Sequence, residues 1–175
     1  MEPKRDILGN IIIVLFRGEY FFLSNFYVRP IVYEGITFHS SEQAFMWSKT
    51  LIPAEQTAIL ACPTPTKVKQ FASDPVNVTL REGWEEYWRT VSMYRVLSCK
   101  YGQHPDLADQ LMATDSANLI EGNWWHDNFW GDCLGRKDGA GNWLGCEKEK
   151  CKIPGNNYLG MMSMQIRFNL TTNTE

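Results

Sequence analysis

The sequence predicts a mainly helical α+β fold with a small antiparallel β component. Three observations predict it. Several segments carry helix caps or apolar residues at helical spacing. Two short β-branched and aromatic runs flank a Glu-Gly turn, the pattern of a hairpin. One apolar run, Ile11 to Phe16, reads as a buried strand.

Residues 1–10 are polar and are expected to fray. The strand Ile11–Phe16 is broken at Gly18. Phe21 to Tyr27 is aromatic but mixed and is limited by Pro30, so it is read as a structured loop. The hairpin pairs Ile31-Val32-Tyr33 with Ile36-Thr37-Phe38 across Glu34-Gly35. Ser40 or Ser41 caps the first helix, because a serine oxygen accepts from the unpaired amides of a first turn. That helix is expected to reach about Thr50. Pro53 opens a second helix through Ala61, closed by Cys62-Pro63, and Thr66 caps a third through Ala72. The strongest helix, Trp84 to Tyr101, stops at Gly102. It carries Trp84, Tyr87, Trp88, Val91 and Tyr94 on one stripe and Met93, Val96, Leu97 and Lys100 on the next, the pattern of a central, mostly buried helix. Another helix covers about Asp106 to Ala113. From Asn118 the character changes: Leu119 to Trp130 mixes aromatic and polar residues. Residues 131–157 look like an irregular excursion, and Tyr158 to Phe168 closes the chain as helix or strand. With no repeat or clear boundary, residues 1–175 are expected to form one domain.

A chain of 175 residues can bury a core without covalent staples. Aromatics make up 13% of it, including seven Trp, which points to a dense core, a stacking pocket or both. The net charge of −3 argues against a protein that coats nucleic acid through many cations, but leaves room for a pocket reading one nucleotide-like group. No stretch is long and apolar enough to span a bilayer, and Lys4 and Arg5 precede no signal-peptide core. A soluble, cytoplasmic protein without a membrane partner is expected, with reduced thiols as the default for its five Cys.

Three groups of residues could carry chemistry. On a helix, Glu42, Met46 and Lys49 share a face beside Phe45. Burial raises a carboxylate pKa and lowers a lysine pKa, while mutual attraction opposes both. Such a pair can supply a proton donor and a base or nucleophile. Spacing alone favours the plainer reading, a surface pair in which Glu42 merely suits the helix N-terminus. The second group is Leu119 to Gly131, which packs Glu121, His126, Asp127, Trp124, Trp125 and Trp130 into a non-periodic stretch. Indoles there can stack on a base or sugar and acids can engage ribose hydroxyls; the alternative is a Trp-rich corner in which Asp127 caps a turn. The third is Cys133, Cys146 and Cys151, whose gaps match no CxxC pair. Reduced loop thiols are expected there, and a zinc site with His126 as fourth ligand is the alternative. His39 and His104 are read as ordinary polar residues. Lys100 suits the negative end of its helix, or else is a pocket cation. Arg17, Arg81 and Arg167 are further phosphate candidates.

These residues resemble the YbiA/NADAR family. The likeness starts at Phe22-Leu23-Ser24-Asn25-Phe26-Tyr27 and Phe38-His39-Ser40-Ser41-Glu42-Gln43-Ala44-Phe45 with Lys49. It continues through Trp84, Met93, Lys100, Thr114, Leu119-Ile120-Glu121 and Asp127-Asn128-Phe129-Trp130-Gly131. It ends at Asn157-Tyr158-Leu159-Gly160 with Met164 and Arg167, covering about residues 16–168 in order. The resemblance implies a compact α+β fold dominated by helices and an N-glycosidase of ribosyl compounds. Two substrate classes go with it: ADP-ribose on guanine bases, in DNA or RNA, and phosphorylated ribosylamino-pyrimidine intermediates of riboflavin synthesis. It implies Glu42, Lys49, Asp127 and Trp130 as the main site, with Glu42, Lys49 and Asp127 catalytic. Asn25, Phe26, Trp84, Lys100, Glu121 and Asn157 are carried over as substrate-binding. No cofactor is implied, and the oligomeric state is left open. The chain departs from the pattern between Gly131 and Asn157, where a longer segment holds a second copy, Asn142-Trp143-Leu144-Gly145. The later copy is preferred because Met164 and Arg167 follow it at the matching offset. The competing class is a non-catalytic binder of ADP-ribose or a nucleotide, which would need the Trp residues and Asp127 but not Glu42 beside Lys49.

Overall fold

A computed structural model describes Asp6 and residues 8–142, 144–146, 151 and 155–172. Lys4, Arg5 and Trp143 lie outside the described residues. The chain divides into two units, Asn25–Ala108 and Met1–Ser24 with Asp109–Glu175.

The Asn25–Ala108 unit opens with the expected hairpin. Strands β2 (Val28–Tyr33) and β3 (Ile36–Ser40) pair antiparallel, with Ile31 opposite Phe38 and Tyr33 opposite Ile36. Glu34 and Gly35 sit at φ 49° and 77°, the left-handed pair that a two-residue hairpin turn requires. The register shifts between Val28 and Ile31, where Pro30 has no amide to donate. Ser40 then caps helix α1 (Ser41–Trp47), its hydroxyl accepting the Gln43 amide at 3.3 Å. The helix is shorter than expected. Its last turn closes on Ser48, whose hydroxyl donates to the Phe45 carbonyl at 2.7 Å, a local bond that competes with helix continuation.

Helix α2 (Pro53–Leu60) starts at its proline as expected. Helix α3 (Pro65–Ala72) is capped by Thr64, not Thr66, since Thr64 accepts from the Lys67 amide and Pro65 fills the first helical position, where no donor is needed. The segment Trp84–Trp88 forms a wide π-type turn that feeds helix α4 (Arg89–Gln103). Gly102 does not stop this helix. His104 does, because it precedes Pro105 and is driven to extended backbone (φ −128°, ψ 90°). Burial is one-sided rather than two-sided: Ser92, Met93, Val96, Leu97, Lys100 and Tyr101 are buried, whereas Tyr87 is exposed and Trp88, Val91 and Tyr94 are half-buried. A core of Ile31, Tyr33, Phe38, Ala44 and Val96 joins hairpin, α1 and α4, with Trp47 edge-on to Phe38 at 5.6 Å. Gln43 ties α1 to its neighbours. Its Oε1 accepts the His39 amide at 3.0 Å, and its Nε2 donates to the Ile59 and Leu60 carbonyls in the last turn of α2.

In the other unit the expected strand Ile11–Phe16 contracts to β1 (Ile12–Ile13), which pairs parallel with β4 (Asn118–Leu119). The ladder ends because the partner turns: the Gly122 amide bonds back to Ile120 O at 2.8 Å as well as to Val14 O at 3.0 Å. Near the chain start, Asp6 is not frayed, since its carboxylate accepts from the Leu8 and Asn10 amides and from Asn118 Nδ2. A 3-10 turn covers Gly18–Leu23. Helix α5 (Pro105–Met112) spans the boundary between the units. Strands β5 (Gly122–Asn123) and β6 (Asp132–Cys133) pair parallel, so the sheets are one antiparallel hairpin and two short parallel pairs. The start of the excursion is ordered, with Leu144 N–H on Arg136 O at 2.9 Å and Gly145 N–H on Leu134 O at 3.0 Å. The chain closes as helix α6 (Tyr158–Thr172). Among the described residues, no helix is long and apolar enough to cross a membrane.

The two similar segments differ in how their asparagines are held, with Asn157 tied to β4 and the residues after it. Its Oδ1 accepts the Glu121 amide at 3.0 Å and its Nδ2 donates to Leu119 O at 2.8 Å. Asn142, by contrast, bonds only within an exposed turn, to Asp138. Two part-buried hydrogen bonds are worth about 2 kcal/mol together, or roughly 4–8 °C in a domain of this size. Asn157→Ala is therefore expected to lower the melting temperature by that amount, and Asn142→Ala by less than about 2 °C. Thermal melts followed by circular dichroism check both, and equal shifts would contradict the assignment.

Candidate functional site

Within the Asn25–Ala108 unit, the chemistry gathers at the ends of α1. Glu42 is in its first turn and only 4% exposed. Its amide donates to the Asn25 carbonyl at 3.0 Å, which fixes the preceding turn against the helix start. Asn25 is itself buried: its Nδ2 meets Met93 Sδ at 3.2 Å, and its Oδ1 takes no hydrogen bond among the described residues. A buried carbonyl oxygen in that state is an acceptor waiting for a hydroxyl.

Lys49 lies past the end of α1, on the turn that closes it, rather than on the helix face. Its Nζ donates to the Ala72 carbonyl at 2.7 Å, at the end of α3. Burial pulls its ammonium below the ordinary lysine range, and the negative charge of Glu42 opposes that pull. Glu85, Arg89 and Lys69 also act on it electrostatically. None of these three was evident in the sequence, because they act on Lys49 from α3, the π-type turn and the start of α4 only after packing. Phe45 and Trp84, both buried, stack at 5.4 Å between ring centroids and form an apolar wall. Phe26 is half-buried, with Lys69 Nζ 5.5 Å from its ring centre. Lys100 is not a solvated helix end: it is 1% exposed, with Nζ 5.2 Å from the Tyr101 ring and 5.9 Å from that of Tyr27. Arg81 stacks on Trp88 at 3.9 Å.

The other unit holds the second group. Asp127 caps a turn, its Oδ1 accepting the Phe129 and Trp130 amides at 3.2 and 2.9 Å. Its backbone is gripped on both sides by the Asn123 side chain, which donates to Asp127 O at 2.7 Å and accepts from its amide at 3.1 Å. The turn-capping reading holds, and Oδ2 takes no hydrogen bond among the described residues. Trp130 packs edge-on to Phe129 at 4.8 Å. The Phe129 and Trp130 carbonyls accept the Tyr158 and Leu159 amides of the first turn of α6, so the loop is bolted to a helix start. Glu121 is half-buried beside it, held through its amide by Asn157. The Asn157 amide is bonded to backbone at both ends, so it holds the Leu119–Glu121 stretch in place. Arg167 is likewise taken up by the Thr114 hydroxyl and Ala117 carbonyl, and Arg17 stacks on Trp124 at 4.6 Å. Trp124 and Trp125 are each 45% exposed. The structure also brings together what spacing had kept apart: His126, Cys133, Cys146 and Cys151 converge with their ligand atoms within 4.8 Å of one another.

Comparison with known proteins finds a match to the NADAR domain over residues 15–171. The chain is 30% identical over 149 residues to the N-glycosidase YbiA of Escherichia coli (strain K12) and to that of Shigella flexneri, covering 85% of this chain and 81% of each relative. Over 88 residues, 50% of this chain, it is 34% identical to the chloroplastic riboflavin biosynthesis protein PYRR of Zea mays, covering 11% of that protein. The solved NMR structure of E. coli YbiA superimposes with a TM-score of 0.73 at 27% identity, over 99% of this chain and 95% of the other.

The balance at Lys49 gives two measurable consequences. Removing the Glu42 charge takes away the interaction that raises the Lys49 pKa, so Glu42→Gln is expected to move it further down, read by NMR titration of the lysine ammonium. Because the folded-state pKa lies below the unfolded value, burying the ammonium costs stability below the folded pKa, and the cost fades as pH rises toward 10.5. The stability difference between Lys49→Met and the parent, from urea unfolding, should therefore shift in the parent's favour between pH 7 and about pH 10. A difference that stays flat with pH would contradict the burial.

Proposed function

The chain belongs to the NADAR domain family, and from that premise we propose that it hydrolyses the N-glycosidic bond between a ribose and a base or amine, with ADP-ribose on guanine in nucleic acid as the substrate. One observation carries the reading: Glu42 is buried in electrostatic contact with a lysine whose ammonium burial destabilises. A binding module has no use for a buried carboxylate acting electrostatically on a half-buried amine, whereas bond cleavage needs a proton delivered to the leaving nitrogen.

Glu42 acts as general acid and base. It protonates the leaving nitrogen as the C1–N bond breaks and an oxocarbenium-like C1 forms. It then takes a proton from the water whose oxygen bonds to C1. Lys49 orients the carboxylate electrostatically, and Phe45 and Trp84 keep bulk water away. The Asn25 Oδ1 and Asp127 Oδ2 acceptors suit ribose hydroxyls, each on its own unit. Support for a large substrate comes from the loop that carries Asp127, which exposes Trp124 and Trp125, faces on which an additional base can stack.

Two further readings have specific support. The depressed Lys49 pKa favours an amine route, in which neutral Nζ attacks the opened sugar to form a Schiff base. The match to PYRR favours the ribosylamino-pyrimidine substrate. Incubating the protein with ADP-ribosylated guanosine DNA and, separately, with the riboflavin intermediate distinguishes the substrates by which one releases free base or sugar. Glu42→Gln is expected to lose about 100-fold or more in turnover with its fold intact, and unchanged turnover on every accepted substrate would sink the assignment. A borohydride-trapped protein–sugar adduct that disappears in Lys49→Met would move the chemistry to the amine.

A further inference from the structure

Sulfur and imidazole ligands gather where neither proposed catalytic pair needs them. Cys133 ends β6, buried, its amide held by Asn128 Oδ1 at 2.9 Å. Cys146 follows the hairpin that leaves β6, and Cys151 lies a short step beyond. His126 comes from the loop between β5 and β6. Its Nδ1 stands 3.3 Å from Cys133 Sγ, 3.2 Å from Cys146 Sγ and 3.3 Å from Cys151 Sγ.

Hydrogen bonding does not explain three sulfurs around one nitrogen. A ring nitrogen offers either one proton or one lone pair, so it can satisfy one thiol and not three. A tetrahedral zinc does explain them. With Zn–S near 2.3 Å and Zn–N near 2.05 Å, tetrahedral angles put nitrogen about 3.5 Å from each sulfur and the sulfurs about 3.8 Å apart. The observed nitrogen–sulfur distances fall within a few tenths of an ångström of that figure, and all four ligand atoms fit inside 4.8 Å.

The backbone around the ligands is shaped to bring them in. Gly135 bridges to Gly145, and a Cβ on Gly135 would lie 1.6 Å from the Gly145 carbonyl oxygen, so only glycine lets the two segments meet there. That meeting brings the residues after Gly145, Cys146 first, back toward the end of β6. His126 holds φ 70°, a left-handed conformation that strains a non-glycine residue and persists where its surroundings fix it.

We propose that His126, Cys133, Cys146 and Cys151 form a closed Cys3His zinc site that staples the excursion to the loop carrying Asp127. Four protein ligands leave no open position for water or substrate, so the site is structural rather than catalytic. Binding displaces the thiol protons, and the three thiolates and the neutral imidazole hold the cation. His126 adjoins Asp127, so the same cation fixes the backbone from which that carboxylate projects. The remaining cysteines, Cys62 and Cys99, lie in the other unit and serve as internal controls.

The test is metal content of the purified full chain after dialysis against metal-free buffer, read by plasma mass spectrometry, and it is independent of any glycosidase assay. About one zinc per chain is expected. Cys133→Ser, Cys146→Ser, Cys151→Ser and His126→Ala are each expected to lose most of it, whereas Cys62→Ser and Cys99→Ser keep it. Should the ligand variants fail to fold, cobalt titration of the metal-stripped parent chain gives the second readout. It should produce the visible bands of tetrahedral cobalt together with thiolate charge transfer at one equivalent. Metal well below one per chain combined with no cobalt spectrum overturns the proposal, as does mass-spectrometric detection of a disulfide among the three cysteines in freshly purified protein.

Discussion

Backbone polar groups that leave regular structure inside a core still need partners, and that constraint organises this molecule. Among the described residues, two of the three sheets are pairs of two-residue strands, so ladders can satisfy little of the chain. Side-chain amides and carboxylates do the rest. Gln43 accepts from β3's end and donates to the last carbonyls of α2. Asn157 takes the two backbone groups flanking Ile120. Asn123 brackets Asp127, and Asp127 in turn caps the turn to Trp130. Each of these residues either is a proposed functional group or sits beside one in sequence or space. Positioning through side chains gives fixed geometry without the bulk of a sheet, and the loops remain available for chemistry.

The same logic explains how a carboxylate comes to be buried and a lysine half-buried near it. Glu42 starts a helix that its neighbour Gln43 anchors on β3 and α2, so α1 has no freedom to turn its acid toward solvent. Lys49 follows from the early end of α1. Had the helix continued to Thr50, the lysine would have stayed on the face of Glu42 and Met46. The Ser48 hydroxyl bond to Phe45 ends the helix first, and Lys49 then reaches the open carbonyl at the end of α3 instead. Its charge is held by a helix C-terminus and a carboxylate, and destabilised by loss of water.

Where the sequence was legible and where it was not follows from the range of the interactions. The hairpin was readable because Glu34-Gly35 encodes its own turn. Ser40 and Pro53 announced their helices through local capping. Thr66 was preferred over Thr64 although Pro65 between them already marked the first helical position. The run Ile11–Phe16 looked like a full strand because apolar β-branched residues say nothing of the partner, and the partner turns away at Ile120. Glu42 and Lys49 are visible as chemistry but not as a site, since the Trp84 ring that meets Phe45 and the Ala72 carbonyl that takes Lys49 arrive from elsewhere. The resemblance, now matched by a domain spanning residues 15–171, supplied what spacing could not.

The cysteines show the limit most sharply. A zinc site is easy to read when two ligands share one knuckle, because a CxxC pair is local. Here His126 comes from a loop, Cys133 from a strand end, and Cys146 and Cys151 from beyond a hairpin, so no two ligands share a short motif. Their convergence depends on Gly135 meeting Gly145 and on the parallel pairing of β5 with β6. The long segment after Gly131 therefore has a physical use. An exposed loop with only two-residue strands behind it has few ways to stay rigid, and four ligands around one cation would fix it without enlarging the hydrophobic core. An insertion that departs from the family pattern would then be what holds His126, and with it the neighbouring Asp127, in place.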